Sequence, residues 1–140
     1  LAGYGGDFAG SNLHTVIGNA DVTYVPFENS RFSLGYIRLA SPVAVFGTYI
    51  GDTGYLRTSI GTQNKRVTVK ADGSVGYLRY TSIDNRNDLV VAVGAGPSFM
   101  VAQWFDISAM YNLSYRTSTG NIASINFTRH EAMLRFDFHY

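Results

Sequence analysis

Apolar and polar residues alternate along most of this chain with a period of two, as they do in strands whose successive side chains point to opposite faces. The last eleven residues, HEAMLRFDFHY, show it most strictly. Ala132, Leu134, Phe136, Phe138 and Tyr140 share one face, and Glu131, Met133, Arg135, Asp137 and His139 share the other. The same pattern predicts strands over about 15–25, 31–38, 53–62, 66–80, 88–101 and 104–117, with the final strand from about 126. Within them Val22, Leu34, Leu56, Val69, Val91 and Leu113 fall on apolar faces, and Asp21, Ser33, Arg57, Lys70, Ala92 and Asn112 on the opposite ones.

The breaks in the pattern are also informative. PFENS, TQNK and VAQ read as short turns, and the polar stretches around Asn85 and Gly120 as longer loops. Residues 39–51, LASPVAVFGTYIG, hold Pro42 and two glycines, lose the alternation and read as another long loop with frayed strand ends. Pro97 predicts a bulge or an early strand end, because proline cannot donate to a ladder. The inner face around it, Ala92, Gly94, Gly96 and Ser98, is nearly bare. It either makes room for large side chains opposite or lines open water. Aromatics gather at both ends: Tyr24, Phe27, Phe32, Phe99, Trp104, Phe105, Phe138 and Tyr140 beside the short turns, and Tyr36, Tyr77, Tyr80, Tyr111 and Tyr115 toward the long loops.

A soluble sandwich turns its apolar faces inward, whereas a transmembrane barrel turns them to lipid, its polar residues to the lumen and its aromatics to the two interfaces. Two girdles and alternating connection lengths favour the barrel. Composition agrees: charged residues are 15% of the chain, below the roughly 25% of soluble domains. No apolar run is long enough for a transmembrane helix, so a membrane span would have to be a closed barrel or part of one. A net charge of +1 gives no electrostatic case for nucleic acid. With no cysteine there is neither a disulfide framework nor a thiolate metal site.

The expected fold is therefore all-β, an antiparallel transmembrane β-barrel in a Gram-negative outer membrane. Residues 1–140 form one domain. The opening LAGYGGDFAG lacks an initiator Met and a basic n-region, so residue 1 reads as a cut and the domain as N-terminally truncated. Seven strands are clear. The weak N-terminal segment (Leu1, Gly3, Tyr4, Asp7, Phe8) would make about eight if the barrel is complete; otherwise the chain is the C-terminal half of a larger one. Eight strands would be filled by side chains, and sixteen or more would leave a lumen.

The charges expected to face the lumen are Asp21, Arg57, Lys70, Asp72, Asp106, Arg116, Glu131, Arg135, Asp137 and His139. They either pair as a structural network or select solutes, with Arg57, Lys70 and Arg116 best placed to meet an anionic polymer. His14, His130 and His139 are scattered, and no nucleophile elbow or zinc-binding helix motif accompanies them. The expectation is no enzyme, no metal and no cofactor.

Two resemblances add to this. The terminal row Leu134, Phe136, Phe138 and Tyr140 resembles the C-terminal signature of bacterial outer-membrane barrels, which implies recognition by the barrel-assembly machinery. The stretches ADVTYVPFENSRFSLGYIR, TGYLRTSIGT, DLVVAVGAGPSFMVAQWFDISAMYNLSYR and NFTRHEAMLRFDFHY resemble the C-terminal part of the β-barrel porin 2 family of outer-membrane proteins. Tyr24 and Pro26, then Phe32, Leu34, Gly35 and Tyr36, and the closing strand from Thr128 and Arg129 to Tyr140 carry the likeness. It covers most of residues 13–140 and implies a porin-like channel or a conduit for exopolysaccharide export. The implied partners are outer-membrane lipid and polysaccharide or small solutes. The alternative is a small closed barrel without transport, binding a partner through external loops 39–51, 81–87 and 117–125.

Overall fold

The computed structural model describes residues 2–8, 11–43, 47–64, 66–80, 86–120 and 126–139. Among these residues the chain is all-β, without a helix. Its strands are β1 (Ala2–Phe8), β2 (Ser11–Tyr24), β3 (Ser30–Val43), β4 (Gly47–Gly61), β5 (Val67–Tyr80), β6 (Asn87–Ala102), β7 (Phe105–Thr119) and β8 (Phe127–Phe138). Every connection is short, so each strand pairs antiparallel with the next and the order is β1 to β8 without a crossover. β1 and β8 lie at opposite ends of this order, and the sheet is not closed.

β2 to β8 are the seven strands that the alternation predicts, and the Gly-rich N-terminal segment supplies β1. Its seven residues pair with the first half of β2, Ala2 opposite Ile17 and Phe8 opposite Ser11. The second half of β2 pairs with β3, from Gly18 opposite Arg38 to Tyr24 opposite Phe32. β2 thus changes partner at Gly18.

Two local expectations are corrected. Residues 39–43 and 47–51 are strand, not loop: Leu39 lies opposite Gly51 and Val43 opposite Gly47. Pro42 fits there because β3 has left β2 behind by this point and has become an edge, where a missing N–H is tolerated. The contrast between short and long connections is correspondingly weaker, and residues 44–46, 81–85 and 121–125 lie outside the described residues. Pro97 stays in register opposite Val69 on β5, but on the β7 side the pairing skips Gly96 and Pro97; the shift in register falls later, between Met100 and Ala102.

The turns at the other end are tied by side chains. Phe27 N donates to Ser30 Oγ at 3.1 Å, and Asn29 Nδ2 donates to the Thr62 carbonyl at 3.0 Å. Asn29 thereby joins the β2–β3 turn to the β4–β5 turn.

The sheet has no buried hydrophobic side chain among the described residues; its buried side chains are Ser30, Thr48, Asp88 and Ser118. The register lines up Val22, Leu34, Leu56, Gly73, Val93 and Leu113 across one face. That face is the exposed one, with Val22 at 73%, Leu34 at 65% and Leu134 at 61%. From β3 to β7 the polar face is the more compact one, whereas on β2 and β8 its side chains are mostly exposed as well. A Cβ at Gly35 would run into the Tyr55 ring, and one at Gly94 would meet Asn112 and Asp72. Gly35 and Gly94 are therefore covered by larger side chains, while Gly96 lies against the backbone of Ala109 and Met110. With its apolar face exposed, the sheet is inside-out relative to a water-soluble layer.

Candidate functional site on the polar face

The register places Asp21, Arg57, Lys70, Asp72, Asp106, Arg116, Glu131, Arg135 and Asp137 on the polar face. His139 joins them through Asp106, with Nε2 to Oδ2 at 3.0 Å. Parity puts three further charges there, Arg31, Asp88 and Arg129, in step with Ser33, Val90 and Glu131.

At the loop end the centre is Asp88, which has no exposed surface. Arg86 donates from Nε to Oδ1 at 2.8 Å and from Nη2 to Oδ2 at 3.0 Å, a two-pronged grip. Arg116 donates to Oδ2 through Nε at 2.9 Å and again through Nη2. The network continues outward: Arg116 Nη2 reaches the Tyr80 hydroxyl at 2.8 Å, and Arg86 Nη2 reaches Ser118 Oγ at 3.2 Å. The Arg86 guanidinium also lies over the Tyr80 ring, 5.2 Å from its centroid, and Tyr49 packs on Tyr80 at 5.7 Å. Tyr80 therefore belongs to the polar face and not to an outer girdle. Two guanidiniums around one carboxylate satisfy a buried charge that would otherwise be costly.

At the short-turn end the arrangement is different. Arg31, Ser33, Arg57, Lys70 and Asp72 line an open cleft of about 380 Å³. Met110 of β7 shares it, reaching past the glycines of β6. Arg31 and Lys70 both lie opposite Ser59, and Arg57 lies opposite Asp72. The Arg57 guanidinium rests 4.4 Å above the Tyr55 ring. Neither Arg31, Arg57 nor Lys70 is in an ion pair among the described residues. Three cations around one carboxylate make a locally positive cleft.

The structure thus brings Arg57 and Lys70 together and keeps Arg116 apart, occupied by Asp88. On β8 the charges pair along their own strand, Arg129 with Glu131 at 2.6 Å and Arg135 with Asp137 at 2.7 Å.

The two histidines with described side chains do not converge. His130 is on the apolar face with Nδ1 2.6 Å from the Tyr111 hydroxyl, His139 is on the polar face, and the side chain of His14 lies outside the described residues. No group of three metal-ligating side chains occurs among the described residues.

On the apolar face the aromatics of the short-turn end stack: Phe105 lies on Phe138 at 4.8 Å and on Phe136 at 6.4 Å, with Trp104 on Phe105 at 5.8 Å. Tyr140 lies outside the described residues. Toward the loops, Tyr36, Tyr77 and Tyr115 are exposed on this face. Tyr111 sits mid-strand, opposite Ala95 and Ala132, and so falls short of the loop end. In comparisons with known proteins, no family model, no curated protein and no solved structure matches the chain.

Proposed function

We propose that this chain forms a wall of a bacterial outer-membrane β-barrel whose polar face lines a lumen for anionic solutes. The observation that carries the proposal is the inverted sheet, with large apolar side chains on the exposed face and the buried positions held by polar ones. In water such a face would demand a second layer; in lipid it needs none. Its dimensions agree: the apolar run of β5 from Val67 to Tyr77 rises roughly 33 Å and, tilted by about 40°, stands about 25 Å tall, the height of a barrel's apolar band. The stacked Trp104, Phe105 and Phe138 fit one interface, and Tyr36, Tyr77 and Tyr115 the other.

Lipid offers no water to an unpaired strand edge, so a barrel has to close. β8 presents such an edge along its twelve residues, and the shorter β1 does not pair with it. Closure by further strands beside β8 would widen the cylinder toward the size at which a lumen opens. A wide barrel with a positive cleft at Arg31, Arg57 and Lys70 suits passage of an acidic polysaccharide, in keeping with the resemblance to the β-barrel porin 2 family. The mechanism is steric and electrostatic selection, with no chemical step.

Insertion of the chain into planar bilayers, with single-channel recording, tests this. Anion-selective conductance is expected. A compact, heat-sensitive gel band without conductance would indicate a small filled barrel. Material that stays in solution as a monomer with its apolar face covered would remove the membrane altogether.

A further inference from the structure

From β3 to β7 the apolar face carries charge at just one place among the described residues, the loop end, where Arg38, Asp52 and Arg79 are register neighbours. Asp52 lies opposite Arg38 on one side and diagonal to Arg79 on the other. Arg79 Nη2 donates to Asp52 Oδ2 at 3.0 Å, Arg38 Nη1 stands 3.6 Å from Oδ1, and the Tyr36 hydroxyl donates to the same Oδ1. One carboxylate cannot neutralise two guanidiniums, so the cluster keeps net positive charge. Both arginines remain well exposed, 37% for Arg38 and 47% for Arg79.

A second, independent feature adjoins it. Where β2 leaves β3 at Gly18, the sheet has a notch of about 560 Å³. Its walls include Val16, Gly18, Ala20 and Tyr36, and Arg38 stands at its end. The volume is in the range of small-molecule sites, and the lining is mostly apolar. An apolar slot closed at one end by a cation is complementary to an amphiphile with a negative head.

We infer that Arg38 and Arg79 hold the anionic headgroup of a membrane lipid, with one of its acyl chains laid in the notch between β2 and β3. The inference rests on the membrane reading above and adds a specific lipid to it. Asp52 orients the two guanidiniums and competes with the headgroup for them. The cluster lies one step beyond Tyr77, where the apolar band of β5 ends and headgroups begin.

The test is the association of spin-labelled phosphatidylglycerol, relative to spin-labelled phosphatidylcholine, with the chain inserted in phosphatidylcholine vesicles. Preference for phosphatidylglycerol is expected. It should fall about fivefold for Arg38→Gln or Arg79→Gln alone, since one cation near a membrane surface contributes roughly that factor. It should rise for Asp52→Asn, which frees both guanidiniums. An equal preference in the wild type and in both arginine variants would overturn the site, as would a fall on Asp52→Asn. Loss of the preference on adding inorganic phosphate, at an ionic strength matched with chloride, would assign the cluster to free phosphate and not to lipid. Restricted lipid of both headgroups without selectivity removes this inference alone; absence of any restricted lipid removes the membrane reading with it.

Discussion

The polar face treats charge in opposite ways at its two ends. Near the loops one carboxylate, Asp88, is sealed among two guanidiniums and a hydroxyl. Near the short turns three cations, Arg31, Arg57 and Lys70, stand around one carboxylate in an open cleft. Along β5 the two regions are roughly 26 Å apart, from Leu78, opposite Asp88, to Lys70. Charge at the loop end holds strands together, and charge at the short-turn end is left available to something else. Both ends set more than one cation around a single carboxylate, so it is burial and pairing that separate a strut from a site.

The largest effect expected from this contrast is that of Asp88→Ala. Removing the acid leaves Arg86 and Arg116 facing each other, with 14% and 26% of their side chains exposed. Breaking a buried pair costs about 3–5 kcal/mol, and this partial exposure puts the loss near the lower end. The urea midpoint should drop accordingly, and Arg116→Gln should cost less, because Arg86 still grips the carboxylate. A loss below about 1 kcal/mol would make Asp88 an ordinary surface acid and dissolve the contrast.

The contrast also presupposes that the polar face is the enclosed one. Leu134→Arg probes this from the other side. If Leu134 meets lipid, an arginine there costs roughly 2–4 kcal/mol near the bilayer midplane. If it meets water, a substitution on so exposed a strand stays within about 0.5 kcal/mol. Equilibrium refolding yield in vesicles separates the two outcomes, with Arg135→Gln on the opposite face as the reference.

Between the two ends, glycines of the polar face lie close against their neighbours, and this too can be broken. A Cβ at Gly96 would strike the backbone carbonyl of Ala109, which has no flexible end to move away. Gly96→Ala is expected to cost about 1–3 kcal/mol, as overpacking does. Gly54, by contrast, has nothing within 4 Å of an added Cβ. Gly54→Ala should be neutral or stabilise by a few tenths of a kcal/mol, since glycine weakens a strand interior. Equal losses in both would mean that the glycines set backbone geometry and not packing.

Much of this was legible in the sequence, for a simple physical reason: a period of two assigns a face to every residue of a strand once its register is right. The ten charges expected on one face follow from parity alone. So do Arg31 and Asp88, which a consistent count from Ser33 and Ala92 would have caught. Arg86 was not legible, because it precedes β6 and reaches Asp88 by folding back from a connection, where no periodicity operates. The strand content of 39–51 was hidden for another reason. Pro42 and the glycines read as breakers, yet an edge beyond the last β2 pairing tolerates them. The same change of partner at Gly18 opens the notch beside Arg38, and alternation says nothing about which neighbour a strand chooses.

The smallest expected effect on stability is the sharpest on function. Arg57 and Lys70 are diagonal neighbours on β4 and β5, with backbones roughly 7–8 Å apart. That is within about one Debye length at physiological salt, so they act on an ion together. Neither is committed to an ion pair, so Arg57→Gln with Lys70→Gln should leave the unfolding midpoint within about 0.5 kcal/mol of wild type. Relief of their mutual repulsion even favours the variant slightly. The reversal potential across a chloride gradient should nonetheless shift away from anion selectivity, because the cleft would keep Arg31 against Asp72. Arg116→Gln supplies the opposite pattern, with a lower midpoint and little change in selectivity, since its charge is already spent on Asp88. If Arg116→Gln moved the reversal potential as far as the double variant does, the two ends would be one continuous field, and pairing would have failed to separate strut from site.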